Sequence, residues 1–254
     1  SGIISYNPFA HAQINKKLLV KKRKPEAKTQ VYTEAEEFFL MRLAWEEWKE
    51  DNSLGACLAL ILLFYTGLRI GEVVALKRSD IDGLVAHICR SEVEVSVQID
   101  ETTFKQIGHM VIDHPKTSAG FRDVYLTHGG REVVDAALSG VAARGADDSY
   151  LFTNGITRVN VDMVTYRLKK YCNILGIPFR SAHKIRKTYV SHLIDGGVNI
   201  DAARIQVGHE DERTTLRCYT FNTKTQDETN EQFERALSTL APNPGILVTA
   251  NGYR

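Results

Sequence analysis

No two of the four cysteines in this 254-residue chain (Cys57, Cys89, Cys172 and Cys218) form a C-x-x-C pair. Cysteines so few and so scattered exclude a disulfide framework and a zinc ribbon, and are expected to be reduced thiols in a cytoplasmic protein. H-E-x-x-H is also absent, which removes the helical metalloprotease site. The apolar run Leu54–Phe64 falls short of the ~20 residues that a membrane-spanning helix needs. No basic-then-apolar signal segment opens the sequence, and Ser1-Gly2 is expected to be a cloning remnant outside the fold. Internal repeats and low-complexity tracts are lacking. Excess charge of either sign is lacking too: 32 Lys and Arg stand against 31 Asp and Glu, for a net charge of +1. The total therefore excludes no partner, and the distribution has to be read instead.

A hydrophobic content of 43% and a charged content of 25% describe an ordinary globular protein with enough chain for one large domain or two small ones. Residues 3–30 differ in texture. After the turn signal Asn7-Pro8, the residues Lys16, Lys17, Lys21, Lys22, Arg23, Lys24 and Lys28 crowd a segment with one acid, Glu26. Such a run is either a solvated linker or a strap against a polyanion, because clustered cations displace counterions from phosphates. Thr33-Glu-Ala-Glu36 has the form of a capping box, which starts the folded domain near residue 31.

From there to Asp80 the pattern is helical. Residues 84–126 change to strand character: Leu84–Cys89, then Glu92–Ile99 alternating with period two, His109–His114 and Arg122–Leu126. The Pro115-Lys-Thr-Ser-Ala-Gly120 turn between the last two predicts a β-hairpin carrying Lys116 at its tip. Helix resumes after residue 130 through about residue 205, with breaks at Asn154-Gly155 and Gly176-Ile-Pro178. The expected class is α+β, mainly α, with a small antiparallel sheet.

Several polar residues sit oddly in this plan. Arg69 interrupts apolar sequence in Tyr65-Thr-Gly-Leu-Arg-Ile-Gly-Glu-Val-Val-Ala-Leu76. His183 and Arg186 share a helical face through their i, i+3 spacing. Gly208-His209 is followed ten residues later by Tyr219. Taken singly, each has a plain structural explanation.

In order and spacing, however, Thr66-Gly-Leu-Arg-Ile-Gly-Glu72, Lys116, His183-x-x-Arg186, Gly208-His209 and Tyr219 together resemble the catalytic set of the tyrosine recombinases, the phage-type integrases. The resemblance covers roughly residues 31–225. It departs from the family pattern at Lys184 and Lys187, where Asp and His are common, and at Glu210-Asp-Glu212, where small polar residues are common. It implies three parts: the end of a core-binding domain and basic linker over 1–30, the catalytic domain over 31–224, and a tail over 225–254. In that tail Thr225-Gln-Asp-Glu228 is a second capping box, and Phe233, Leu237 and Leu240 form one apolar face, expected to dock on a neighbouring subunit.

The chemistry suits the residues. A phenol near pKa ~10 is both nucleophile and competent leaving group, so a phosphotyrosyl bond is reversible. Arginine stays charged and binds two phosphate oxygens at once. Arg69, held by the apolar helix, is expected to face the scissile phosphate together with Arg186, with Glu72 orienting Arg69. The resemblance further implies Lys116 as general acid, His183 as general base or phosphate ligand, His209 as a third phosphate donor and Tyr219 as nucleophile. It implies no metal and no cofactor. The expected partners are duplex DNA with specific attachment sites, further copies of the chain as dimer or tetramer, accessory DNA-bending or directionality proteins, and no membrane. A type IB topoisomerase, an idle DNA-binding regulator of the same fold, and a hydrolase with His183 and His209 as metal ligands are the competing classes.

Overall fold

The computed structural model describes residues 29–100, 103–113, 120–142, 150–155, 157–209 and 230. Thr33 opens helix α1 (Glu34–Glu50): its hydroxyl accepts from the Glu36 N–H, and the Glu36 carboxylate accepts from the Thr33 N–H at 2.8 Å. Helix α2 (Gly55–Thr66) has no polar face to offer solvent, so it becomes the central helix, with every residue but Tyr65 buried. Each fully buried Leu or Ile there contributes ~1.5–3 kcal/mol. The helix stops at Gly67, whose left-handed φ of +60° closes the last turn on the Leu63 carbonyl.

The short helix α3 (Ile70–Val74) leads through a 3₁₀ turn into five strands. These are β1 (Ile81–Asp82), β2 (Val85–Ile88), β3 (Ser91–Gln98), β4 (Phe104–Ile112) and β5 (Arg122–Tyr125). Helix α4 (His128–Ala142) follows, then the tight pair β6 (Thr153–Asn154) and β7 (Thr157–Arg158). The described helices end with α5 (Val161–Leu175), α6 (Ala182–Asp195) and α7 (Ile200–Val207). Around α2 pack α1, α4, α5 and α6, while α7 lies against α6 and β5. None of the described helices is long and apolar enough to cross a membrane.

Two features differ from the sequence reading. The strands on either side of Lys116 do not pair with each other. β4 zips antiparallel onto β3, and β5 joins β2 in a separate sheet of order β1-β2-β5. Proximity and burial explain both choices. Asp100 accepts from the Thr103 N–H at 2.8 Å and the Ile99 N–H donates to the Thr103 carbonyl, turning β3 back directly onto β4. β5 meanwhile buries Val124 beside Ala86 and Ile88 of β2. The second difference is a further helix break at Gly196-Gly197, where Gly197 takes φ +81° and Asn199 caps α7.

A Cβ added at Gly55 would lie 2.3 Å from the Thr153 carbonyl oxygen, whereas one at Gly108 meets no described atom within 4 Å. Gly55→Ala should therefore lose ~1–3 kcal/mol of stability by overpacking, and Gly108→Ala should stay within ~0.5 kcal/mol of the parent. Urea unfolding measures both; equal midpoints would mean that α2 and the β6–β7 hairpin separate freely to admit the methyl.

Candidate active site

Beyond Gly67 the chain turns extended, and Arg69 sits in that turn as the residue preceding α3, with φ −68° and ψ 143°. It is thus held in the joint just past the apolar helix. An arginine on α2 itself would be surrounded by core. In the joint its side chain remains 40% exposed. Glu72 reaches back from the first turn of α3: one carboxylate oxygen accepts from the Arg69 N–H at 2.9 Å and the other from Arg69 Nη1 at 2.7 Å. Arg122 of β5 grips the same carboxylate with both terminal nitrogens, at 2.8 and 3.1 Å. The Glu72 side chain is 1% exposed and that of Arg122 4%. Burial pushes the Glu72 carboxyl up, but the hydrogen bonds and charge of Arg122, and then of Arg69, outweigh it and hold the group below its ordinary value.

Ser181 precedes α6, which carries His183 and Arg186 one turn apart. Arg186 is buried. Its Nη1 donates to the Gly67 carbonyl at 2.9 Å, its Nη2 to the Val207 carbonyl, and its Nε to His209 Nε2 at 3.3 Å. His209 follows Gly208, the left-handed residue (φ +67°) that ends α7. Three arginines from distant segments thus hold three consecutive carbonyls at the C-terminal end of α7. Arg122 Nε takes Gln206 at 3.1 Å, Arg186 takes Val207, and Arg69 Nη2 takes Gly208 at 3.1 Å. These are the orphan acceptors of a helix terminus, where the macrodipole is negative and cations are stabilised.

Arg69, His183 and Arg186 line an opening of about 200 Å³ together with Leu68, Ile70 and Ala182. A larger groove of about 550 Å³ runs beside α1 past Phe38, Met41, Trp45 and Tyr65, and none of these chemical groups lines it. Burial lowers the His183 pKa, and the charges of Lys187, Arg186, Lys184 and Arg69 lower it further. Burial, then Arg186, Arg69, His183 and Arg122 push His209 down to about 3. His209 is therefore neutral at pH 7, and since Nε2 accepts from Arg186, the hydrogen-bond network assigns its proton to Nδ1. Cations surround both imidazoles, an environment that favours an anion over a metal ion.

The structure brings together five of the residues singled out from sequence: Arg69, Glu72, His183, Arg186 and His209. Lys116, Tyr219 and the basic residues Lys16, Lys17, Lys21, Lys22, Arg23 and Lys24 lie outside the described residues, as does the tail with Phe233, Leu237 and Leu240. Sequence reading missed Arg122. The signal was its parity, for it falls on the same strand face as the buried Val124, whereas Asp123 and Tyr125 point outward.

A mainly helical domain in which the α2–α3 joint, β5, α6 and the end of α7 meet at an arginine-lined anion site is the class that fold and geometry define. Residues 40–226 match the phage integrase family, and the chain belongs to it. It is similar to a tyrosine recombinase XerC-like protein of Caldanaerobacter subterraneus subsp. tengcongensis, 28% identical over 180 residues, which are 63% of this chain and 44% of that protein. It is also similar to the ICEBs1 integrase of Bacillus subtilis, 26% identical over 61% of this chain and 42% of that one. The chain thus spans less than half the length of these curated relatives. Among solved structures, the Tn1549 transposon integrase in complex with transposon right end DNA shares the fold at a TM-score of 0.61 and 24% identity, over 91% of this chain and 72% of that chain. The XerA recombinase does so at 0.59 and 17%, over 88% and 68%.

The folded-state pKa of His209 lies below its unfolded value, so the unfolded chain takes up a proton that the folded chain refuses. Stability is complete above pH ~6.5 and falls as pH drops, at up to ~1.4 kcal/mol per pH unit, over a window reaching down to about 3. His209→Asn should flatten this slope in urea unfolding between pH 6.5 and 4, leaving the residue of it that His183 causes. An unchanged slope would mean that His209 is protonated in the folded chain.

Proposed function

We propose that this chain is the catalytic part of a site-specific DNA recombinase that cuts and rejoins duplex DNA through a 3′-phosphotyrosyl intermediate. The observation that carries this reading is the convergence of Arg69, from a segment more than a hundred residues away, with His183 and Arg186 on one cationic opening, where Arg186 also holds His209. Membership of the phage integrase family supports it.

In this reading Tyr219 Oη attacks the scissile phosphorus as its proton passes to His183, acting as general base. The P–O5′ bond breaks, and Lys116 protonates the departing 5′ oxygen. Arg69, whose guanidinium is half-exposed, and Arg186 neutralise charge on the non-bridging oxygens, and His209 adds an N–H donor. Attack by the 5′-hydroxyl of a partner strand on the phosphotyrosine restores a phosphodiester and frees the tyrosine, with no net change in bond type. The basic residues Lys16, Lys17, Lys21, Lys22, Arg23 and Lys24 would neutralise backbone phosphates on either side of the cut. Strand exchange pairs two sites, so the working unit on DNA is a dimer or tetramer of the chain.

Incubation with a pool of centrally nicked duplexes of randomised sequence should give an SDS-resistant adduct on a DNA 3′ end, and sequencing that end reads the site. Tyr219→Phe should abolish the adduct and EDTA should not, because arginines take the part of a metal; a tryptic map placing the DNA on Tyr189 or Tyr171 would reject the assignment. Lys116→Ala should slow cleavage ~10²–10⁴-fold. A substrate with a 5′-bridging sulfur, which leaves without a proton, should restore the Lys116→Ala rate and leave Arg186→Ala slow. Equal rescue of the two variants would refute Lys116 as the acid.

A further inference from the structure

We propose that Arg122 is a positioning residue for strand cleavage, locking the Arg69 turn to the end of α7 without touching the DNA. This rests on the recombinase reading above and adds a residue to it. Arg122 grips both halves of the site. Two of its nitrogens hold the Glu72 carboxylate, at 2.8 and 3.1 Å, and its Nε holds the Gln206 carbonyl at 3.1 Å. Glu72 in turn fixes Arg69 through its backbone N–H and its Nη1, while Gln206 lies three residues before His209. A shift of β5 would therefore displace a phosphate-binding arginine and a phosphate-binding histidine together.

Exposure separates its part from that of Arg69. The Arg69 side chain is 40% exposed, with room to meet a phosphate, whereas that of Arg122 is 4% exposed. Its Nη1 also donates to the Gly120 carbonyl at 3.0 Å, so Nε and both terminal nitrogens are engaged within the protein. The planar fork is needed for this: a single ammonium cannot hold two carboxylate oxygens and a carbonyl at fixed angles.

The test uses the full 254-residue chain and a nicked duplex recovered by adduct capture, measuring duplex affinity and single-turnover cleavage separately. Arg122→Gln should slow cleavage ~10–10²-fold, less than the ~10²–10³-fold lost with a donor that itself contacts the reacting group, with the Kd for duplex within about twofold of the parent. Arg122→Lys, which returns the charge but not the fork, should fall between the two. Should Arg122→Gln leave Glu72 buried without its partner and fail to fold, Glu72→Gln/Arg122→Gln removes both charges and restores a neutral pair. In the Glu72→Gln background the Arg122 substitution should slow cleavage less than it does alone. An affinity loss with an unchanged cleavage rate would make Arg122 a DNA contact and overturn the proposal. So would unchanged cleavage with a lowered melting temperature, or fully multiplicative effects in the double variant. If the unaltered chain forms no adduct, the recombinase reading fails and this role with it; if the unaltered chain cleaves and the Arg122 variants keep pace, Arg122 alone is excluded.

Discussion

The site depends on one buried carboxylate shared by two arginines. Cations a few ångströms apart repel by several kcal/mol in a protein interior, ~4 kcal/mol at 4 Å for an effective dielectric constant of 20. Arg69, Arg122 and Arg186 nevertheless gather around α7, and Glu72 is the carboxylate that pairs with two of them, Arg69 and Arg122. Its burial would favour the neutral acid if it stood alone. Paired on both oxygens it stays ionised, and the negative charge that cannot leave is what keeps the positive charges in register.

Glu72 does not do this unaided. The partial negative charge at the end of α7 is spread over the carbonyls of Gln206, Val207 and Gly208, and each is taken by a different arginine. The guanidiniums are therefore oriented by backbone, which cannot change rotamer, and not only by side chains, which can. An anion entering beside Arg69 and Arg186 meets donors already aimed, so little reorganisation is needed to bind it. Burial, with the same crowd of cations behind it, lowers the pKa of both His183 and His209 and favours their neutral forms. A neutral imidazole can take a proton or donate one; an imidazolium could only donate.

What was legible in the sequence was local. The Thr33–Glu36 cap, the all-apolar α2 and the alternating Glu92–Ile99 strand each depend on residues within a turn or two of one another. The His183–Arg186 face is local as well, and the gathering of distant motifs at one place could be expected only because their order resembled a family. What stayed hidden needs knowledge of a partner. Nothing within Arg122–Tyr125 says that it pairs with Val85–Ile88 and not with the neighbouring strand, because strand pairing is decided by which edge buries Val124. Arg122 escaped notice for the same reason, since an arginine in a four-residue strand looks solvated until its neighbour is known.

The hydrogen bonds from Arg69 to Gly208, Arg186 to Gly67 and Arg122 to Gln206 close loops of 139, 119 and 84 residues. Contacts of such sequence separation carry the largest loop-closure entropy and form late, after locally connected helices have collapsed. On a ribosome the α2 core can gather while α7 is still unmade, yet its arginines then lack the carbonyls that aim them. The cluster of cations around α7 is thus complete only when the last of these segments has been made.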